Sequence, residues 1–203
     1  MLAEGAQAES RSHVITVPAL IDRVLACAGM TLEMVDGVAV SIGPGSFTGL
    51  RIGLALAKGI AFAAGGPLVG VATLEALAWV ADATPGDTIC AALDARKREV
   101  YAALFTAAPT GPQRLTPDMA LAPEALAGSL PARCVVVGDA ADVYTGVLAS
   151  GCIVRPFATH HPRGGVVARL GWERLVAGQW ANAGELEPTY VRAPDATLPA
   201  GSR

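Results

Sequence analysis

The chain has 203 residues, 52% of them hydrophobic and only 16% charged, with a formal net charge of −3 and a pI near 5.6. That length holds one large domain or two small lobes, either of which buries a core, and the acidic balance excludes the basic footprint of a protein that binds nucleic acid on its own. Charge falls well below the roughly 25% usual for soluble domains, so the alanine-rich apolar excess goes either into dense helix packing or into a surface that another protein covers.

Met1 to Ser12 is polar and rich in small residues. Val17, Leu20, Ile21, Val24, Leu25 and Ala28 then recur at helical spacing, predicting an amphipathic helix over Val14 to Ala28, with Pro18 in its first turn and Gly29 at its end. Val35 to Ile42 is short, β-branched and mostly apolar, which predicts a buried strand. Gly43-Pro44-Gly45 breaks regular structure, and Ser46 or Thr48 caps a second helix, Phe47 to Ala64, that stops at Gly65-Gly66-Pro67. Leu68 to Ala72 predicts a strand, and Thr73 a cap on a third helix reaching about Ala81.

Pro85-Gly86 marks a boundary between lobes, after which Thr88 to Leu93 and Val100 to Phe105 predict a β-hairpin around Asp94-Ala-Arg-Lys-Arg-Glu99. Asp94 and Arg96 are candidate site residues there, although polar side chains at a hairpin turn ordinarily face solvent. A loop over Ala107 to Pro117 precedes a helix around Pro123 to Leu130, a strand Cys134 to Val137, a helix Ala140 to Ala149 and a helix Gly165 to Ala177. Strands alternating with helices predict an α/β fold with a mixed sheet. Arg155-Pro156 and His160-His161-Pro162 fall in a connecting loop, Glu187 to Arg192 is extended, and Ala193 to Arg203 is expected to be a disordered tail.

Strand, glycine turn and helix together admit two readings. Gly43, Gly45, Ser46, Thr48 and Arg51 can form an anion or nucleotide site, because a helix N-terminus presents unpaired N–H groups to whatever lies before it. Alternatively, the glycines only permit positive φ and close packing of strand on helix. A Walker A loop is excluded, since no frame supplies Gly, four residues and Gly-Lys-Ser/Thr, and the dinucleotide fingerprint matches only with one extra residue and Glu75 as a ribose ligand. A cation in the first turn of a helix opposes the macrodipole at about 0.3–1 kcal/mol, so Arg51 should have a specific partner: an anion, a partner carboxylate, Asp94 or Glu75.

Gly49, Gly53, Ala57 and Ala61 recur every four residues on the second helix, a spacing that lets another helix approach closely, whether from this chain or from a partner subunit. Cys27, Cys90, Cys134 and Cys152 lack any C-x-x-C pair and are read as reduced, mostly buried thiols. The three histidines offer no His-x-x-x-His pair, so no metal site is expected. Lys58, Gly65-Gly66-Pro67 and Glu75 divide the longest apolar tract, which falls short of the about 20 uninterrupted residues of a membrane span.

Gly43-Pro-Gly-Ser-Phe-Thr-Gly-Leu-Arg-Ile-Gly53, Gly70-Val-Ala-Thr-Leu-Glu-Ala-Leu-Ala78, Asp94-Ala-Arg96 with Glu99-Val-Tyr101, and Glu187-Pro-x-Tyr-x-Arg192 stand in this order. In that order they resemble the TsaB (YeaZ) family over most of residues 12 to 192. The resemblance implies an actin/Hsp70/sugar-kinase-like (ASKHA) fold of two lobes with mixed sheets. The first lobe would occupy 1–84, truncated at its N-terminus by the strands that open family members, as from a late start at Met1, and the second 85–192. It also implies a cytoplasmic, non-catalytic subunit in the formation of threonylcarbamoyladenosine at position 37 of ANN-decoding tRNAs. Such a subunit pairs with a catalytic TsaD-like subunit and a TsaE-like ATPase, with a homodimer when the partner is missing. ATP and a divalent metal are expected in the partners and no cofactor on this chain alone; tRNA is met only within the complex, and no membrane is involved. The pairing surface implied consists of Val17, Leu20, Ile21 and Val24 on the first helix and Gly49, Gly53, Ala57 and Ala61 on the second. The alternatives are a stand-alone nucleotide-dependent enzyme or glycoprotease-like peptidase of the same fold, or a homodimeric binding module.

Overall fold

The computed structural model describes residues 1–6, 13–182 and 184–192; the tail expected to be disordered, 193–203, lies outside them. The chain runs α1 (His13–Ala28), a 3-10 turn (Leu32–Met34), β1 (Val38–Gly43), α2 (Phe47–Ala64), β2 (Leu68–Ala72) and α3 (Thr73–Ala78). It continues through β3 (Thr88–Arg96), β4 (Glu99–Thr106), β5 (Gln113–Arg114), β6 (Met119–Leu121), α4 (Pro123–Ser129) and β7 (Cys134–Val137). The last elements are α5 (Asp139–Val143), α6 (Thr145–Leu148), β8 (Ile153–Arg155) and α7 (Gly164–Val176).

Two sheets result, and the α/β class with a mixed sheet follows the sequence expectation. In the first, β1 and β2 pair in parallel, Val38 opposite Leu68. In the second the strand order is β5-β4-β3-β7-β8, with β6 also on β4; β3 and β4 are antiparallel, while β3, β7 and β8 are parallel. β3 and β7 read as continuous apolar runs because both faces of this sheet are covered. The two-residue period separates the faces: Ile89, Ala91, Phe105, Val135 and Val137 meet Leu74 and Leu77 of α3. Cys90, Ala102, Cys134 and Val136 meet Leu126, Ala140 and Leu148 of α4 to α6. Full burial of each large side chain here stabilises by about 1.5–3 kcal/mol.

The first sheet is flanked by helices far apart in sequence. Leu54, Ala57 and Ala61 of α2 cover Val38, Val40 and Leu68, while Val167 and Leu170 of α7 cover Ala39 and Val71 on the other face. α7 comes so close that a Cβ on Gly171 would lie 2.3 Å from the Ala39 Cβ. Packing therefore divides the chain differently from a single cut at 84/85, since residues 164–176 return to cover the first sheet. Among the described residues β1 has no strand on its other side, and that edge opens on an apolar groove of about 810 Å³ lined by Leu25, Met30, Ala39 and Trp172 among others. α2 is by itself long and apolar enough to cross a membrane, but it seats its inner face on β1 and β2 and carries Arg51 and Lys58, as a helix of the fold does.

Several boundaries differ from expectation for local reasons. Pro18 stands inside α1 rather than in its first turn, because the helix begins at His13. Thr73 does not cap α3: Ala72 occupies the cap position, and the Thr73 Oγ1 is buried without a hydrogen-bond partner. The helix expected over Ala140 to Ala149 breaks at Tyr144, whose φ of −115° and ψ of 35° separate α5 from α6. β5, β6 and β8 escape sequence reading because edge strands of two or three residues are too short for periodicity to register. All four cysteines are free thiols; Cys90 and Cys134 are buried but Cys27 is exposed.

Candidate functional site

α2 begins as its sequence dictates. The Ser46 Oγ accepts a hydrogen bond from the Gly49 N–H at 3.3 Å, and Gly65 ends the helix in the left-handed conformation. One turn in, Arg51 finds an aromatic partner instead of an acid. Its guanidinium carbon lies 3.9 Å from the Phe47 ring centroid and 5.9 Å from that of Tyr190, and its Nε donates to the Tyr190 hydroxyl at 2.9 Å. Asp94 and Glu75 are engaged elsewhere, by Arg96 and Arg174 respectively, and among the described residues no carboxylate pairs with Arg51. A cation–π contact contributes about 0.5–1 kcal/mol at an exposed site, enough to offset the dipole.

Tyr190 arrives on the extended segment Glu187 to Arg192, which crosses from one sheet to the other. The Thr189 N–H donates to the Ile42 carbonyl at 2.7 Å, and the Tyr190 ring packs 5.4 Å from Phe47. Arg192 then donates to the Glu99 carboxylate at 2.8 Å and the Ala95 carbonyl at 3.3 Å in the second sheet. The glycine turn lies under this strap. A Cβ on Gly43 would sit 2.5 Å from the Thr189 carbonyl oxygen, so close packing accounts for that glycine. Gly43 is buried, Gly45 half-buried, Ser46 and Thr48 exposed, and Arg51 turns toward the rings rather than the amides of the turn. Sequence reading placed Glu187 to Arg192 in a motif without a role; the signal available was its aromatic and cationic residues flanked by proline.

The small-residue stripe does not keep to one face. A step of four residues advances 40° beyond a full helical turn, so the stripe winds inward along α2. Ala57 and Ala61 are 6% and 1% exposed and pack on Leu68, which removes them from any outer surface and corrects the expectation that they meet a partner. Gly49 and Gly53 stay half-exposed. Among the described residues, a Cβ on Gly53 or Gly59 would meet no atom within 4 Å, and one on Gly49 only Ser46. Val17, Leu20, Ile21 and Val24 are half-buried, and Leu20 and Val24 lie against Gly5 of the N-terminal segment. That segment is tied to the start of α7 by Glu4, which accepts from the Gly165 N–H at 2.9 Å and pairs with Arg163.

A second polar cluster, not foreseen around Asp94, closes the end of the second sheet. The Asp139 Oδ1 accepts from the Asp94 N–H at 2.8 Å, and the Tyr144 hydroxyl donates to the Asp94 Oδ1 at 3.3 Å. Burial raises the Asp139 pKa above its ordinary 3.8, the Asp94 charge raises it further, and the Asp94 N–H works against both. A carboxyl whose folded pKa is raised favours the folded state least once ionised, so stability falls as pH rises from 3.8 through the raised value. Asp139→Asn keeps the acceptor without the charge. The variant is expected to match or exceed the parent in urea midpoint at neutral pH, with the difference vanishing below pH 3.8; a variant weaker at neutral pH would show that the charge itself holds the turn. Among the described residues no three His, Cys, Asp or Glu side chains are grouped as a metal would need.

The family model described as "TsaD: tRNA N6-adenosine threonylcarbamoyltransferase" matches residues 7–133. The Haemophilus influenzae tRNA threonylcarbamoyladenosine biosynthesis protein TsaB is 41% identical over 92 residues, 45% of this chain and 39% of that protein, so the match spans about two-fifths of that relative's length. An uncharacterized Mycobacterium tuberculosis protein is 33% identical over 198 residues, 97% of this chain and 82% of its own. Among solved structures, YeaZ from Pseudomonas aeruginosa superposes with a TM-score of 0.76 at 26% identity, covering 91% of this chain and 86% of that one.

Proposed function

The chain belongs to the TsaB (YeaZ) family, and from that premise we propose that it is a non-catalytic subunit of the cytoplasmic machinery that forms N6-threonylcarbamoyladenosine on tRNA. In this reading the two sheets are the cores of the two lobes of an actin/Hsp70/sugar-kinase-like fold. The outer face of α2 docks a TsaD-like catalytic subunit. A TsaE-like ATPase joins the assembly, and ATP and the divalent metal belong to these partners.

The observation that carries the docking role is Gly53, on α2 beside its buried face. A glycine inside a helix costs about 0.5–1 kcal/mol relative to alanine, and no contact among the described residues requires one here. A second helix approaching the outer face would. α2 is also apolar and little covered, with 17% of its length buried, and Phe47, Arg51 and Tyr190 form an exposed cationic and aromatic platform at its start. Mixing the chain with a TsaD-like subunit, followed by size-exclusion chromatography with light scattering, should give a joint peak of summed mass. Elution of the two proteins separately would remove the subunit reading, and a doubled mass for this chain alone would favour a homodimer on the same face.

A further inference from the structure

The turn between β3 and β4 has the wrong residues for its shape. Lys97 and Arg98 occupy a two-residue connection at φ of 54° and 59°, and Arg96 before them is at 62°, where the pairing slips between Asp94 and Arg96. Positive φ at both central residues is what a type I′ hairpin turn requires, and Asn-Gly supplies it with least strain. Three successive side-chain-bearing residues are instead held in a left-handed backbone, a condition that persists where the side chains are needed. All three are cations. The Arg96 and Arg98 side chains are 84% and 87% exposed, whereas the Asp94 carboxylate, which accepts from the Arg96 N–H and pairs with the Arg96 guanidinium at 3.1 Å, is 6% exposed and sits behind the turn. Glu99 is engaged by Arg192, and Glu124 stands 3.8 Å from Arg98 at the rim. Asp94 and Glu124 each meet one edge of a guanidinium whose side chain is otherwise open to solvent.

We propose that Arg96-Lys97-Arg98 is a contact for the phosphate backbone of RNA. The choice of RNA among anionic partners rests on the tRNA-modification reading above; the exposed cations and the strained backbone stand without it. Such a contact adds affinity and registers the polyanion without reading sequence, which suits a chain whose net charge of −3 gives no general attraction.

Replacing the turn by its preferred residues, Lys97→Asn with Arg98→Gly, separates the fold from the function. Binding of fluorescein-labelled tRNA is measured by anisotropy across a salt series, with the chain alone and with its assembly with a TsaD-like subunit. The expected result is a melting midpoint equal to or above the parent's, a loss of RNA affinity of about tenfold, and a salt dependence flatter by about two. Unchanged affinity and salt slope in both settings would overturn the proposal, as would loss of binding to labelled polyglutamate with tRNA binding intact, which points to an acidic protein instead. A variant that assembles normally while losing RNA isolates the turn from the subunit reading, and failure of the parent to assemble bears on that reading alone.

Discussion

Gly138→Ala is expected to lower the stability of the chain by at least about 3 kcal/mol, enough to deplete the folded state of a marginal domain. β7 pairs in parallel with β3 up to Val137 opposite Ala91, so Gly138 is the residue at which the chain leaves the ladder to enter α5. It does so at φ 120° and ψ 167°, a region that glycine alone occupies freely. A Cβ there would lie 1.9 Å from the Ala92 carbonyl oxygen and 2.8 Å from the Leu77 Cδ2. The oxygen belongs to a central strand and cannot withdraw. Relief requires β7 to separate from β3, which also pulls Asp139 away from the Asp94 N–H that it accepts. Gly128→Ala is the control, because its Cβ would meet no described residue within 4 Å. Urea denaturation should show the first variant depleted and the second at or slightly above the parent; equal midpoints would mean that the strand ends are far softer than the sheet register implies.

The elements that bury a periodic face were legible in the sequence. Thr88 to Leu93, Val100 to Phe105 and Cys134 to Val137 announced themselves as apolar runs, and Ser46 with Gly65-Gly66 bounded α2 by cap chemistry. What escaped was decided by tertiary contact. Nothing local says that Arg51 turns from acids onto Phe47 and Tyr190, since Tyr190 lies 139 residues away. Nothing local breaks 140–149 either; Tyr144 leaves the helix where its hydroxyl reaches Asp94. The small-residue stripe misled because a four-residue spacing resembles one face over a single turn and drifts by about 120° from Gly49 to Ala61. Ala57 and Ala61 are small because the sheet lies against them, and Gly53 is small with nothing among the described residues against its Cβ position.

That difference supplies the last prediction. Gly53→Trp is expected to leave the chain as stable as the parent and to weaken its assembly with a TsaD-like subunit by at least about a hundredfold, the scale of about 3 kcal/mol that overpacking imposes on a well-packed contact. A Cβ at this half-exposed position meets no atom of the described residues within 4 Å, and tryptophan is the better helix former of the two. In the assembly the indole would stand between α2 and the surface that glycine admits. Gly53→Ala grades the effect: it should raise stability by about 0.5–1 kcal/mol while costing a smaller part of the affinity. Ala61→Trp is the contrast, since Ala61 is buried on Leu68 and its enlargement should unfold the chain rather than spare it. Melting midpoints together with light-scattering masses of the mixed proteins read both quantities. Full assembly by a folded Gly53→Trp variant would place the partner on another face, and the glycine would then lack a physical account.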